Sequence, residues 1–182
     1  MNLTRTHLLR SAFLVALVSV VSPAQAEDPR YPGLERYVGL FRNAGGEAEE
    51  QARLDAIEAS VASQNRVLRG VTRRRLLSGT HVTATYEIQV DGELITIGID
   101  DGRQWTTDLQ GTPAQYEHDG EAMTMSRVWA DGAIRATGEQ RVGTGEYHFR
   151  LSEDGQTLTV AFTMSSKLLP DPVRFTTTYR RQ

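Results

Sequence analysis

The chain has 182 residues, of which 39% are hydrophobic and 24% charged, and its formal net charge at pH 7 is −3. This length and composition suit a single globular domain that buries its own core. A weakly acidic chain is a poor general binder of nucleic acid or anionic membranes, and the absence of cysteine excludes disulfides and thiol chemistry.

The N-terminal residues have the pattern of an export signal. Arg5 and Arg10 precede an apolar run from Ser11 to Val21, and Ala24-Gln25-Ala26 matches a small-x-small cleavage site. We predict a signal peptide over residues 1–26, which places the mature protein in the periplasm of a bacterium or outside the cell. The apolar run is shorter than the ~20 residues of a membrane span, so no stable span is expected after cleavage. An uncleaved N-terminal anchor is the alternative.

Residues 27–80 are predicted to form a helical segment that packs on the rest of the chain. A short α-helix is predicted first, from apolar residues at helical spacing. These residues are Leu34, Tyr37, Val38 and Phe41. One long α-helix follows, with glutamates in its first turn and arginines at its end, the order that the helix dipole favours. Its apolar seam consists of Leu54, Ile57, Val61, Leu68 and Val71. We interpret this seam as the face that packs on a sheet, and a partner-binding seam is the alternative.

Three consecutive arginines, Arg73 to Arg75, lie at the predicted end of the long helix. A site for nucleic acid or anionic lipid is one interpretation, but the run has no interleaved aromatic residues and the chain is acidic. We therefore interpret the run as a solvated helix end and expect no nucleic-acid partner.

Residues 81–182 are predicted to form a mainly β domain. Apolar and polar residues alternate between five Asp-Gly pairs, and Asp-Gly within such alternation is typical of a tight hairpin. The pairs are Asp91-Gly92, Asp101-Gly102, Asp119-Gly120, Asp131-Gly132 and Asp154-Gly155. We predict an up-and-down antiparallel meander of about nine strands, closed or nearly closed into a barrel because closure removes exposed edges. A curved open sheet wrapped on the helix is the alternative.

Few residues are candidates for catalysis. The histidines after residue 26 are His81, His118 and His148, and their spacing matches no known metal site. The sequence contains no Gly-x-Ser-x-Gly motif, and its acidic residues cluster in turns and at the start of the long helix, where turn propensity and the helix dipole explain them. We predict no enzyme, no metal and no cofactor, with a cryptic hydrolase as an alternative.

The barrel interior contains one unexpected charge. Strict alternation after Asp119-Gly120 places Arg127 inward, beside Met125 and Trp129. A buried cation needs a partner, because its desolvation costs several kcal/mol. Arg127 therefore pairs with a carboxylate of the protein, pairs with an anionic ligand, or escapes through a β-bulge that turns Val128 inward. All three alternatives stay open at this point.

We predict that the barrel binds a small apolar or amphipathic molecule. Barrels of about this size hold one small ligand, and the predicted inner face is rich in aromatic residues and methionine. The candidate ligand-binding residues are Tyr86, Trp105, Met125, Arg127, Trp129 and Phe149. The alternative is a structural or protein-interaction module of the cell envelope, whose barrel is filled by its own side chains.

Five segments carry a resemblance to known proteins: Ile57-Glu58-Ala59, Arg69–Leu76, Leu151–Val160, Leu169–Val173 and Tyr179-Arg180-Arg181. In this pattern, from about residue 51 to residue 181, the chain resembles a group of uncharacterised exported bacterial proteins. The resemblance implies a helix followed by a small lipocalin-like β-barrel. It brings no catalytic residues.

Overall fold

The computed structural model describes residues 28–118 and 120–182. The predicted signal peptide, residues 1–26, lies outside the described residues and stays a prediction. Within the described part of the chain, every helix is too short or too polar to cross a bilayer.

The described residues form ten strands, two α-helices and a single-turn 3-10 helix at Leu34–Tyr37. The helices, α1 (Gly46–Val61) and α2 (Arg66–Gly79), lie between the first two strands. The strands are β1 (Gly39–Asn43), β2 (Thr85–Asp91), β3 (Leu94–Ile99), β4 (Gln104–Asp108), β5 (Ala114–His118), β6 (Glu121–Ala130), β7 (Ala133–Gln140), β8 (Gly143–Leu151), β9 (Thr157–Ser165) and β10 (Val173–Arg181).

All ten strands belong to one antiparallel sheet, in the order β4-β3-β2-β1-β10-β9-β8-β7-β6-β5. The sheet curls until its ends meet, because the segment after β4 bonds to β6. The amide of Gly111 donates to the carbonyl of Arg127 at 2.8 Å, and the amide of Trp129 donates to the carbonyl of Leu109 at 3.2 Å. The result is a nearly closed barrel with two helices, which confirms the predicted mainly β class and barrel architecture.

The Asp131-Gly132 turn follows the predicted chemistry, whereas at Asp101-Gly102 and Asp154-Gly155 only the glycine has positive φ. Asp131 and Gly132 both have positive φ, at 55° and 68°, as a type I′ hairpin requires. At the first hairpin the turn lies one residue later than predicted, because Asp91 still pairs with Leu94 across the two strands.

The segment predicted as a short helix is a 3-10 turn followed by β1, and this part of the prediction is wrong. Leu34 and Tyr37 are buried in the 3-10 helix, whereas Phe41 points into the barrel from β1. Gly39 has a φ of 146°, a conformation that interrupts helical backbone. Because β1 pairs with both β2 and β10, distant strands override the local periodicity, and the barrel begins before the helices.

The segment predicted as one long helix is two helices. Asn65 starts the second one, since its side chain accepts a hydrogen bond from the amide of Leu68 at 3.0 Å. The predicted seam therefore packs only in part. Ile57 and Val61 of α1 are fully buried in a cluster with Val173 of β10, but Leu68 is 56% exposed on α2.

The two ends of the barrel differ. The 3-10 helix closes one end, where the hydroxyl of Tyr37 donates to the carbonyl of Gly132 at 2.9 Å and accepts from the amide of Leu151 at 3.0 Å. The two helices cover the opposite end, where α1 packs on the start of β10. Any opening to the interior therefore lies on the helical side.

Candidate functional site

A cavity of about 520 Å³ lies between the sheet and the helices. Its wall is formed by inward-facing side chains of β2, β3, β4, β6, β7, β8, β9 and β10. The interior is therefore not filled by the protein's own side chains. A cavity of this size and lining is typical of small-molecule sites.

The cavity opens to solvent beside the end of α2. Its mouth consists of residues 78–83 together with Asp101 and Arg103, and several of these side chains are exposed. Arg103 forms an ion pair with Asp101 across the β3–β4 turn and lies 5.8 Å from the ring of Trp105. The hydrogen bond from the Arg103 side chain lowers the pKa of Asp101, so the mouth carries opposite charges at neutral pH.

Five of the six predicted ligand-binding residues line this cavity. They are Tyr86, Trp105, Met125, Arg127 and Phe149. They come from four strands, and the alternation along each strand brings them to the same interior. Their role in ligand binding stays a prediction.

Trp129, the sixth predicted residue, lies at the closed end rather than in the cavity wall. Its ring packs edge-to-face on Tyr37, with 5.4 Å between ring centroids. It faces inward like Arg127, as alternation predicted, but it lies two residues nearer the closed end of the barrel. The prediction placed Trp129 on the correct face of the strand but not at the correct depth, because Trp129 packs against the 3-10 helix at the closed end instead of lining the cavity.

Arg127 faces the interior and is only 2% exposed. Its Nη1 donates to the carbonyl of Trp105 and to Oγ1 of Thr107, both at 3.0 Å. The β6–β7 register runs unbroken through Arg127 and Val128, which excludes the predicted alternative of a bulge. Among residues 28–118 and 120–182, no carboxylate pairs with this guanidinium, so the alternative of a protein counterion finds no support there.

The other edge of the Arg127 guanidinium meets no oxygen atom of the described residues. Its Nε is buried without a hydrogen-bond partner, and its Nη2 meets only the thioether sulfur of Met125, at 3.3 Å. A thioether is a weak acceptor. Burial lowers the pKa of Arg127 to about 10, so the side chain is still a cation at neutral pH.

Three tyrosines extend the aromatic wall of the cavity. The ring of Tyr86 lies 5.3 Å from Phe149 and 4.8 Å from Tyr179, and Tyr147 packs on Phe162 at 4.8 Å. Burial raises the pKa of Tyr147 to about 12 and that of Tyr86 well above its usual range. These phenols are therefore neutral at pH 7 and serve as hydrogen-bond groups rather than as bases.

The histidines are not assembled into a reactive cluster in the described residues. His148 lies on the outer face of β8, opposite Arg135 and Ala161, which agrees with the predicted orientation. His81 lies at the mouth, and the side chain of His118 is outside the described part. Within that part, no group of three or more histidine or acidic side chains could hold a metal ion.

Sequence reasoning missed the mouth and the cavity role of Tyr147. Tyr147 lies two residues before the predicted Phe149 and therefore on the same face of the strand, so the signal for it was present. The mouth combines a helix end with the β3–β4 turn, and no local pattern relates segments so far apart in the chain.

No protein-family model matches the sequence, and no curated protein sequence matches it either. Several solved structures have a similar fold. An abundant heat soluble (SAHS) protein from Ramazzottius varieornatus has a TM-score of 0.52 and 12% identity, over 81% of this chain and 96% of that one. Apo lipid binding protein 8 of Caenorhabditis elegans has a TM-score of 0.52 and 10% identity, over 82% and 97%. A Schistosoma mansoni fatty acid binding protein in complex with arachidonic acid has a TM-score of 0.51 and 14% identity, over 82% and 98%.

Identities this low show likeness of fold alone. The fold that they share is a β-barrel of the lipocalin and fatty-acid-binding type with a helix-turn-helix cap. The chain has this fold class.

Proposed function

We propose that the protein is a non-enzymatic carrier that binds a small amphipathic molecule with one acidic group inside its barrel. The observation that carries the proposal is Arg127, a buried cation in the wall of a cavity of about 520 Å³. No carboxylate of the described residues neutralises it. An acidic group of a ligand supplies the missing charge.

The rest of the wall suits an apolar ligand body. Aromatic, methionine and aliphatic side chains supply more than half of the lining, and they include Tyr86, Trp105, Phe149 and Phe162. Burial of an alkyl or aromatic body against this wall contributes roughly 25 cal/mol per Å² of apolar surface. The cation contributes selectivity for a charged end over a neutral one.

Two of the similar structures support a lipid-like ligand. One is described as a lipid binding protein and another as a fatty acid binding protein in complex with arachidonic acid. At 10% and 14% identity, they support the class of ligand through the fold and not through shared residues.

We also propose that the protein is exported. The pattern of residues 1–26 supports a signal peptide, and the lack of cysteine suits an oxidising compartment. We place the carrier in the periplasm of a bacterium, or outside the cell.

The test is direct binding with a matched pair of probes. Protein purified from the periplasm of an expression host is analysed by native mass spectrometry for a bound organic molecule, then stripped of it. Dodecanoate and dodecanol are titrated into the stripped protein by calorimetry. We expect both to bind with one-to-one stoichiometry and dodecanoate to bind more tightly. If neither probe binds and no organic molecule copurifies, the protein is not a carrier of this class.

The outer face of α2 supports a second candidate function, docking to an anionic lipid surface. Val67, Leu68 and Val71 are 77%, 56% and 53% exposed, although they are aliphatic. Arg74 and Arg75 flank them, and neither has an acidic partner among the described residues. Exposed aliphatic groups with unpaired arginines on one helix are typical of helices that lie in a membrane interface.

Vesicle sedimentation tests this second candidate. Vesicles of phosphatidylglycerol should retain the protein and vesicles of phosphatidylcholine should not, and salt should weaken the binding. The triple variant Val67→Ser, Leu68→Ser, Val71→Ser should lose it. Leu94→Ser serves as control, because Leu94 is also exposed (47%) but lies on β3. Equal retention by both lipids contradicts the candidate.

A further inference from the structure

The barrel has a seam where β4 and β5, the two ends of the sheet order, come together. Among residues 28–118 and 120–182, backbone hydrogen bonds close only the part of the seam nearer the closed end, between residues 109–111 and β6. Nearer the helical end of the barrel, side chains bridge the seam. The hydroxyl of Tyr116 donates to the carbonyl of Thr106, and Nη1 of Arg127 donates to the carbonyl of Trp105 and the hydroxyl of Thr107. Within the described part of the chain, these two side chains bridge this part of the seam.

Arg127 uses only one part of its guanidinium for this purpose. Nη1 holds β4, whereas the edge formed by Nε and Nη2 faces only the sulfur of Met125. In a planar guanidinium the Nε hydrogen and one Nη2 hydrogen are parallel and match the two oxygens of a carboxylate. One side chain can therefore hold the seam and an acidic ligand at the same time.

We propose that the seam between β4 and β6 senses the charge of the ligand in the cavity. An acidic group displaces the sulfur of Met125 and takes the Nε/Nη2 edge of Arg127, which fixes the guanidinium and strengthens its hold on β4. The inference rests on the proposed function and adds a conformational response to it.

The physical basis is linkage. When the seam is closed, the bonds of Nη1 to Trp105 and Thr107 fix the orientation of the Arg127 guanidinium in the cavity wall. When the seam opens, the guanidinium loses these acceptors and its fixed orientation. An acidic ligand therefore binds the closed state more tightly, and by reciprocity its binding shifts the seam toward closure. A neutral ligand makes no bond to this edge and has no such preference.

The side chain of Met125 can make way for an acidic group at this edge of Arg127. Its flexible thioether contacts Nη2 at the free edge, and an unbranched side chain can rotate away without disturbing the strand. A carboxylate oxygen is a far stronger acceptor for a guanidinium than a thioether sulfur.

Hydrogen–deuterium exchange on the whole protein, with dodecanoate and dodecanol at equal saturation, tests the inference. We expect dodecanoate to slow exchange severalfold in residues 104–111, whereas dodecanol leaves these amides unchanged. The amides of β8 and β9, on the opposite wall, should respond alike to both probes.

Two variants distinguish the effect of the hydrogen bonds to β4 from the effect of the positive charge. Arg127→Lys keeps a cation, but a single ammonium group cannot reach both β4 and the ligand, so dodecanoate should still bind without slowing exchange in residues 104–111. Thr107→Val keeps Arg127 and removes one acceptor on the seam. It should reduce the response while dodecanoate still binds, and it covers the case in which Arg127→Lys does not fold.

Each outcome decides the question. Binding of both probes with an equal response in residues 104–111, or with none, overturns the inference and leaves the carrier function intact. A full response in Arg127→Lys and in Thr107→Val also overturns it. If neither probe binds and no organic molecule copurifies, the proposed function and the inference fail together.

Discussion

The guanidinium of Arg127 donates a hydrogen bond to the main-chain carbonyl of Trp105, with 3.0 Å between Nη1 and the oxygen. Arg127 belongs to β6 and Trp105 to β4, strands that lie near opposite ends of the sheet order. Both residues also line the cavity. The bond therefore connects the closure of the barrel with the site in which we propose that a ligand lies.

Replacing the cation should remove the preference for an acid. We expect Arg127→Met to weaken dodecanoate binding about 10- to 100-fold, because a hydrogen bond to a charged group contributes roughly 1.5–3 kcal/mol. The affinity for dodecanol should stay within a factor of about two, since the apolar contacts remain.

Calorimetry on both ligands measures this difference. Arg174→Met is the matched control, because Arg174 is an exposed arginine on the outer face of β10. Equal losses for dodecanoate and dodecanol in Arg127→Met would mean that the variant damages the cavity rather than its charge.

The two tryptophans should report on different parts of the barrel. The sequence contains only Trp105, in the cavity wall, and Trp129, packed on Tyr37 at the closed end. A bound ligand contacts Trp105 and not Trp129. We therefore expect the fluorescence change on binding dodecanol to persist in Trp129→Phe and to disappear in Trp105→Phe.

The stability of the fold, unlike the fluorescence change, should depend on Trp129. Loss of the larger ring beside Tyr37 should destabilise Trp129→Phe by about 1–2 kcal/mol, measured by urea unfolding. A fluorescence change that disappears in Trp129→Phe instead would place the ligand at the closed end of the barrel.

High pH should destabilise the fold through the buried phenols. Burial raises the pKa of Tyr147 to about 12, above the value of 10.0 of a free tyrosine. The folded state therefore holds a proton that the unfolded state releases between about pH 10 and pH 12. The stabilisation is complete below pH 10 and falls as the pH rises through this range.

Tyr147→Phe should remove part of this pH dependence. We expect the free energy of unfolding of the variant to fall about 1–2 kcal/mol less than that of the parent protein across the range. Phe175→Leu, which changes an aromatic ring but no phenol, should show the same slope as the parent. Parallel curves for the parent and Tyr147→Phe would contradict the assignment.

The start of α2 should depend on one side chain. Asn65→Ala removes the acceptor for the amide of Leu68 and should cost about 1 kcal/mol in urea unfolding. Asn65→Asp keeps an acceptor at this position and should cost a few tenths of a kcal/mol at most. Dodecanol affinity should not change in either variant, because Asn65 lies outside the cavity wall.

The strands could be predicted because Asp-Gly turns and period-two alternation are local signals that the barrel obeys. β1 could not, since Leu34, Tyr37, Val38 and Phe41 also fit a helical period and its partners, β2 and β10, are distant in the chain. The break at Asn65 was missed because the charge order continues across it and the apolar seam resumes in phase after a single polar position, Gln64.

The candidate site was predictable only in part, because the sequence shows which face of a strand a residue takes and not how the strands meet. Alternation determines which face a side chain takes, so Tyr86, Met125, Arg127 and Phe149 were placed in the interior correctly. It does not determine how deep along the barrel a side chain lies. Trp129 faces inward as predicted, but it packs on Tyr37 at the closed end and does not line the cavity. The hydrogen bonds of Arg127 to β4 depend on how the two ends of the sheet meet, which no local pattern describes.

The position of β1 between β2 and β10 has a consequence for folding. β10 is the last strand of the barrel, so β1 stays without one neighbour until synthesis has reached the C-terminal part of the chain. Contacts between such remote segments make folding slow. A barrel that closes late suits the export that we propose, because passage through a secretion channel requires an unfolded chain.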